Sequence, residues 1–121
     1  MTRKPKVVAE KKRVYTVELR VAGASYRQNE TMDFSRRVNL GQSTKALTLR
    51  REPENEHDAH AIAVDDDTGI CLGYLPARDC GTNVLAAALL DAGAAVEAEA
   101  IRVNVQGAHP WVLAKLTVTL S

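Results

Sequence analysis

Residue types able to do chemistry are densest in one stretch, Arg50-Arg51-Glu52-Pro53-Glu54-Asn55-Glu56-His57-Asp58-Ala59-His60, which holds two bases, four acids, an amide and two imidazoles. An imidazole beside a carboxylate is the pairing that a general base and its orienting acid use, and His57-Asp58 supplies it. A nucleophile for that pair is missing, because no Ser or Cys sits in a recognisable motif and Ser25 lacks the strand-to-helix elbow of hydrolases. The seven glycines never cluster into a Walker-type or GxGxxG phosphate loop. His57, Asp58, His60 and the distant Cys71 are metal-ligand types, yet no CxxC or HxxxH spacing pairs them. Loop polars that hydrogen-bond their own backbone are the simpler account of the cluster. The chain therefore reads as a non-catalytic binding domain without a cofactor, and a metal-dependent enzyme is the weakest of its rivals. One Trp, one Phe and three Tyr make each aromatic worth explaining. Tyr26, just after the strand-ending Gly23, either roofs the core or offers a π-face on which a base can stack. Trp111 reads as partly buried packing at a strand start and Tyr74 as core. Cys71 and Cys80 read as free buried thiols, a redox pair being the alternative.

The elements that must carry these residues fit into one domain. With 121 residues, 45% apolar and 26% charged, a chain of this kind buries roughly two thirds of its unfolded surface and needs no metal or disulfide staple. Two cysteines do not make the framework of a secreted mini-domain. No apolar run approaches the roughly 20 residues that cross a bilayer. The basic start at Met1 is interrupted by Glu10-Lys11-Lys12-Arg13 before an apolar signal core develops. A cytoplasmic protein with no membrane association is the expectation. The net charge of +1 is unevenly spread: residues 1–13 hold six bases against Glu10, and the other 108 residues hold ten bases against fourteen acids, a net of −4. Residues 1–13 are expected to be a flexible basic tail, either solubilising or phosphate-neutralising, and residues 14–121 a single domain.

Period-two alternation predicts a half-buried strand over 14–21, with Tyr15, Val17, Leu19 and Val21 on one side. Residues 25–41 read as a long excursion with one short strand near Arg37 to Leu40. A strand over 45–51 is stopped by Pro53. Residues 61–65 and 70–75 flank Asp65-Asp66-Asp67-Thr68-Gly69 and read as a hairpin. Pro76 is expected to begin the one helix, with Val84, Leu85, Ala88, Leu89 and Ala92 as its inner stripe, Thr82 or Asn83 as a cap and Gly93 just past its end. Strands over 96–106 and 111–120 follow, the first with its inward set shifting from Val96, Ala98 and Ala100 to Ile101, Val103 and Val105, a change of phase that a β-bulge would produce. The fold class this implies is mainly β with one helix, a small bent antiparallel barrel of modified OB type with five to six strands.

Four segments in order, Val21-Ala22-Gly23-Ala24-Ser25-Tyr26-Arg27-Gln28, Leu47 through Val64, Leu72-Gly73-Tyr74-Leu75-Pro76 and Leu89-Leu90-Asp91-Ala92-Gly93, resemble the HIRAN domain family over most of residues 14–106. That family occurs at the N-terminus of SWI/SNF-type fork-remodelling translocases and as small free-standing bacterial proteins, and a member of the second kind is the expectation here. The resemblance implies a modified OB barrel that binds single-stranded DNA and captures a free 3′ end at repair or replication intermediates. By position, Tyr26 matches the base-stacking tyrosine of the family, and Asn55, His57 and Asp58 match the segment around the terminal nucleotide. A carboxylate accepts a hydrogen bond from a sugar hydroxyl and repels a phosphate, so Asp58 would admit a 3′-OH and reject a continuing strand. Arg27, Arg78 and the basic tail are expected, on their charge and position, to supply the phosphate contacts that this chain lacks relative to the family. Glu56 stands where the family has proline, His60 where it has asparagine, and Ser25 where the DNA-binding eukaryotic member is basic. The implied partners are single-stranded DNA and a larger helicase or nuclease. The rival reading is an assembly module that keeps the fold without DNA binding, since a net-negative body is a poor phosphate track.

Overall fold

A computed structural model of the chain describes residues 13–76, 82–106 and 110–120. The strands are β1 (Arg13–Arg20), β2 (Ala46–Arg51), β3 (Ile62–Asp65), β4 (Cys71–Tyr74), β5 (Ala95–Asn104) and β6 (Trp111–Leu120), and β3 differs from the alternating ones in being buried at all four positions. They form one six-stranded antiparallel sheet in the order β1-β6-β5-β2-β3-β4. The strands expected from alternation are present near their expected limits, except the short one near Arg37 to Leu40. The bulge is present too, but Ile101, expected inward, is the bulged residue: the β5–β6 register shifts between Ala100 and Arg102, which leaves Ile101 without a partner on β6 and turned to solvent. Val96, Ala98 and Ala100 therefore share a face with Val118, Leu116 and Ala114, and Val103 returns to the core side opposite Val112.

The sheet is not closed. β1 and β4, its outer strands, share no ladder; one bridge joins Ala22, just past β1, to Tyr74, with Ala22 N–H on the Tyr74 carbonyl at 2.7 Å and Tyr74 N–H on the Ala22 carbonyl at 2.8 Å. Gly73 makes that approach feasible. A Cβ there would lie 2.4 Å from the Ala22 carbonyl oxygen and 2.6 Å from Val21 Cγ1, and its φ of 151° is one that L side chains rarely adopt. The half-burial expected of β1 is confined to Leu19, because an outer strand is covered from one side only.

Two helices are present rather than one. α1 (Gln28–Asn39) occupies the stretch read as an excursion. Its inner face is Thr31, Phe34, Ser35 and Val38, so two of its four buried or half-buried positions are small polar residues and the apolar stripe is invisible as hydropathy. Phe34, the one Phe, is wholly buried. Gly41 N–H on the Val38 carbonyl and Gln42 N–H on the Arg37 carbonyl finish the helix. α2 (Thr82–Asp91) ends the same way, with Gly93 and Ala94 donating to Leu90 and Leu89, as expected of Gly93. Its start falls later than Pro76, and residues 77–81 lie outside the described residues. Its inner face is Asn83, Ala86, Ala87 and Leu90, whereas Val84 and Leu85, expected inward, are exposed. With apolar residues at almost every position, periodicity does not choose a face, and packing on β5 does. One core cluster joins Phe34, Ala86 and Ala87 to Leu47, Ile62, Val64, Leu72, Val112, Ala114 and Leu116. No helix among the described residues is long and apolar enough to cross a membrane.

Candidate functional site

The polar stretch forms the β2–β3 connection, and its own side chains shape it. Glu52 N–H reaches the Ala61 carbonyl at 3.0 Å and closes the base of the loop. Asn55 Oδ1 accepts from the backbone N–H of His57 (2.8 Å) and of Asp58 (3.1 Å), which folds the chain back so that both follow in one tight turn. Asn55 Nδ2 donates to Glu52 Oε1 at 3.0 Å, and the Tyr74 hydroxyl donates to that same oxygen at 3.0 Å. Tyr74 is thus half-buried with a polar task rather than core.

Asp58 is oriented from two sides. Its Oδ1 accepts from His60 N–H at 2.8 Å and its Oδ2 from Asn83 Nδ2, on the first turn of α2, at 2.7 Å. The His60 ring also lies near, with Nδ1 3.6 Å from Asp58 Oδ1. Asn83 is only 2% exposed, and its Oδ1 has no hydrogen-bond partner. Arg51 ties the far end of the loop to the same helix, donating to the Ala59 and Ala61 carbonyls and to both oxygens of Asp91. Asn83 and Tyr74 are site residues that sequence reading assigned elsewhere, as a cap and as core, and Arg51 and Glu52 lie in the polar stretch without having been given a role. Asn83, taken for a cap, had one signal, a polar side chain on the face that the alanines turn inward.

The charges follow from these contacts. Hydrogen bonds from Asn55 first, then Tyr74 and Arg50, hold the Glu52 carboxyl below the usual range despite burial. Burial and the Glu52 carboxylate push the Tyr74 phenol up. Burial likewise pushes the Cys71 thiol up, against the pull of the nearby Arg27 guanidinium. Arg50 grips both oxygens of Asp65 and reaches Glu52, so neither base of the Arg50-Arg51 pair is uncommitted. A shallow depression of about 480 Å³ lies on Glu52, Pro53, Glu54 and Asn55.

Asn55, His57 and Asp58 are therefore brought together in one hydrogen-bonded loop, with His57 exposed. Tyr26 and Arg27 lie on the other chain segment, where a single 3-10 turn, Ala24–Tyr26, follows the Ala22–Tyr74 bridge. Tyr74 is where the two segments meet, its backbone on Ala22 and its hydroxyl on Glu52. Tyr26 is 91% exposed, which rules out a roof over the core. Arg27 is half-buried. Arg78 lies outside the described residues. Among the described residues no group of three or more His, Cys, Asp or Glu is placed to hold a metal ion.

The family model described as HIRAN domain matches residues 14–121. The fold is similar to the crystal structure of the HIRAN domain of human HLTF, with a TM-score of 0.62 at 18% identity over 88% of this chain and 76% of that one. It is also similar to the crystal structure of a protein from Lactobacillus plantarum, with a TM-score of 0.59 at 21% identity over 89% of this chain and 99% of that one. No curated protein matches the sequence.

Proposed function

The chain belongs to the HIRAN domain family, and from that premise we propose that it is a non-catalytic module that binds single-stranded DNA and captures a free 3′-OH end. The observation that carries the reading is the oriented carboxylate of Asp58, part-exposed and fixed by His60 N–H and Asn83, in a loop whose outer residue is His57. Each of its oxygens has one protein donor and retains a further lone pair, so the group can still accept from a sugar hydroxyl while repelling a terminal phosphate. Tyr26 supplies the stacking face, and Arg27 and Arg78 neutralise phosphates beside it. In this reading the Ala22–Tyr74 bridge is the point at which a strongly bent sheet of modified OB type comes closest to a barrel. The cellular partner is then a larger helicase or nuclease acting at repair or replication intermediates in the cytoplasm.

Fluorescence anisotropy with oligonucleotides ending in 3′-OH or 3′-phosphate, at two salt concentrations, tests this. The 3′-OH end binds tighter, and Tyr26→Ala weakens binding by roughly 1 to 3 kcal/mol. Asp58→Ala removes the preference for the hydroxyl end. Equal weak binding of both ends, unaffected by either substitution, refutes end capture. A second reading, an assembly module without DNA binding, is favoured by one observation: the loop's two arginines are both committed to internal carboxylates and carbonyls.

A further inference from the structure

We propose that β1 is a self-association edge, pairing antiparallel with β1 of a second copy about a two-fold axis at Thr16. Val21 N–H donates to the Val112 carbonyl at 2.9 Å, and β1 pairs with β6 from Arg13–Leu120 to Arg20–Leu113. Hydrogen-bonding to β6 therefore falls on Leu19, Val17 and Tyr15, and Val14, Thr16, Glu18 and Arg20 turn their N–H and C=O groups to the other side. Among the described residues no strand covers that side. Proteins usually protect such an edge with Pro, an inward-pointing charge or brevity. β1 has eight residues, no Pro, and Tyr15, Val17 and Leu19 on its inner face. Tyr15 is 51% and Val17 44% exposed, although they share the face of the half-buried Val118 and buried Leu116.

The sequence of the strand selects its own copy as occupant. An edge-to-edge two-fold preserves the faces, so residues of like parity must oppose each other. With Thr16 on the axis, Tyr15 opposes the partner's Val17 and Val17 the partner's Tyr15, in the closer, non-hydrogen-bonded positions that suit an aromatic against a β-branched side chain. Thr16 meets the partner's Thr16, Val14 the partner's Glu18 and Arg13 the partner's Leu19, so that over positions 13–19 no like charges are opposed. Shifting the axis to Val17 would set Tyr15 against the partner's half-buried Leu19 and Val14 against the partner's Arg20. Arg20 already lies over the Trp111 ring at 4.5 Å. The Asn55-to-Asp58 loop, on the β2–β3 side of the sheet, stays free, so this inference is independent of the DNA reading.

Sedimentation equilibrium of the full chain tests it: the mean mass approaches two chains by roughly 100 µM, and Val17→Lys raises the midpoint concentration at least about tenfold. Register is tested by disulfide trapping in a background with Cys71 and Cys80 changed to Ala. Thr16→Cys gives a covalent dimer because the two-fold places these positions face to face. Glu18→Cys does not, because its copies lie about 13 Å apart along the strands. A chain that is monomeric throughout, or that cross-links equally well at both positions, overturns the proposal, and the trapping result decides even if Val17→Lys fails to fold.

Discussion

Asp58 takes one donor on each carboxylate oxygen, and the two come from different levels of structure. His60 N–H belongs to the loop itself, whereas Asn83 Nδ2 reaches across from α2. The first would form in an isolated peptide as an Asx turn, and the second exists only when the helix is docked. Asn83 is buried with its own Oδ1 unpartnered, so the contact costs part of what it contributes. Replacing Asn83 with Ala is therefore expected to lower stability by only about 1 kcal/mol, the lost charge-assisted bond being offset by removal of an orphaned oxygen. Urea denaturation reads that, and a loss of 3 kcal/mol or more would mean that Asn83 supports far more than Asp58. The turn residues Asn55, His57 and Asp58 are legible in the sequence because their partners are two or three positions away. Asn83 and Asp58 are 25 positions apart, and nothing local announces that contact.

At the scale of elements, what the sequence reveals depends on whether burial is done by apolar atoms. β6 alternates strictly and forms as read. α1 buries Thr31 and Ser35 beside Phe34, and its arginines serve ion pairs rather than a solvated face: Arg37 meets Asp33 at 2.8 Å and Asp66 at 2.6 Å. That helix is specified by partners in the β3–β4 turn, which no window of local sequence contains. The approach of β4 to the chain past β1 is equally non-local, and it rests on the missing side chain of Gly73. Gly73→Ala forces the Ala22 carbonyl and Val21 to move and adds backbone strain, for a combined cost of about 3 to 5 kcal/mol. The measurement is again a urea midpoint. A variant within 1 kcal/mol of the parent would mean that the Ala22–Tyr74 bridge opens easily and is not a fixed hinge between Tyr26 and the Asn55 loop.

Across the whole molecule the ionisable groups set a pH window for the fold. Burial alone would raise the Asp66 carboxyl, but bonds from Thr68, Ile70 and Arg37 outweigh it and hold it below its ordinary value of 3.8. Ser43 and Arg37 lower Asp67, Arg37 and Arg36 lower Asp33, and Asn55, Tyr74 and Arg50 lower Glu52. Each of these binds its proton more weakly folded than unfolded, so its contribution is complete above the ordinary carboxyl values and is lost as pH falls through the folded ones. The Cys71 thiol and Tyr74 phenol are raised above 9.0 and 10.0, so they bind protons more tightly when folded. Their contribution is complete below those ordinary values and is lost as pH rises through the folded ones. Stability should therefore be flat from about pH 5 to pH 8 and fall on both sides. Asp66→Asn should lower that plateau by about 2 kcal/mol and flatten the acid limb, because the more buried of the two carboxylates that Arg37 meets in the turn loses its charge. Urea midpoints across pH decide it, and an acid limb unchanged in the variant would place the acid sensitivity elsewhere. A flat plateau also separates folding from the proposed binding: a change between pH 5 and pH 8 in an affinity for DNA measured by anisotropy then belongs to groups facing the ligand, because the stability of the fold that positions them does not vary there.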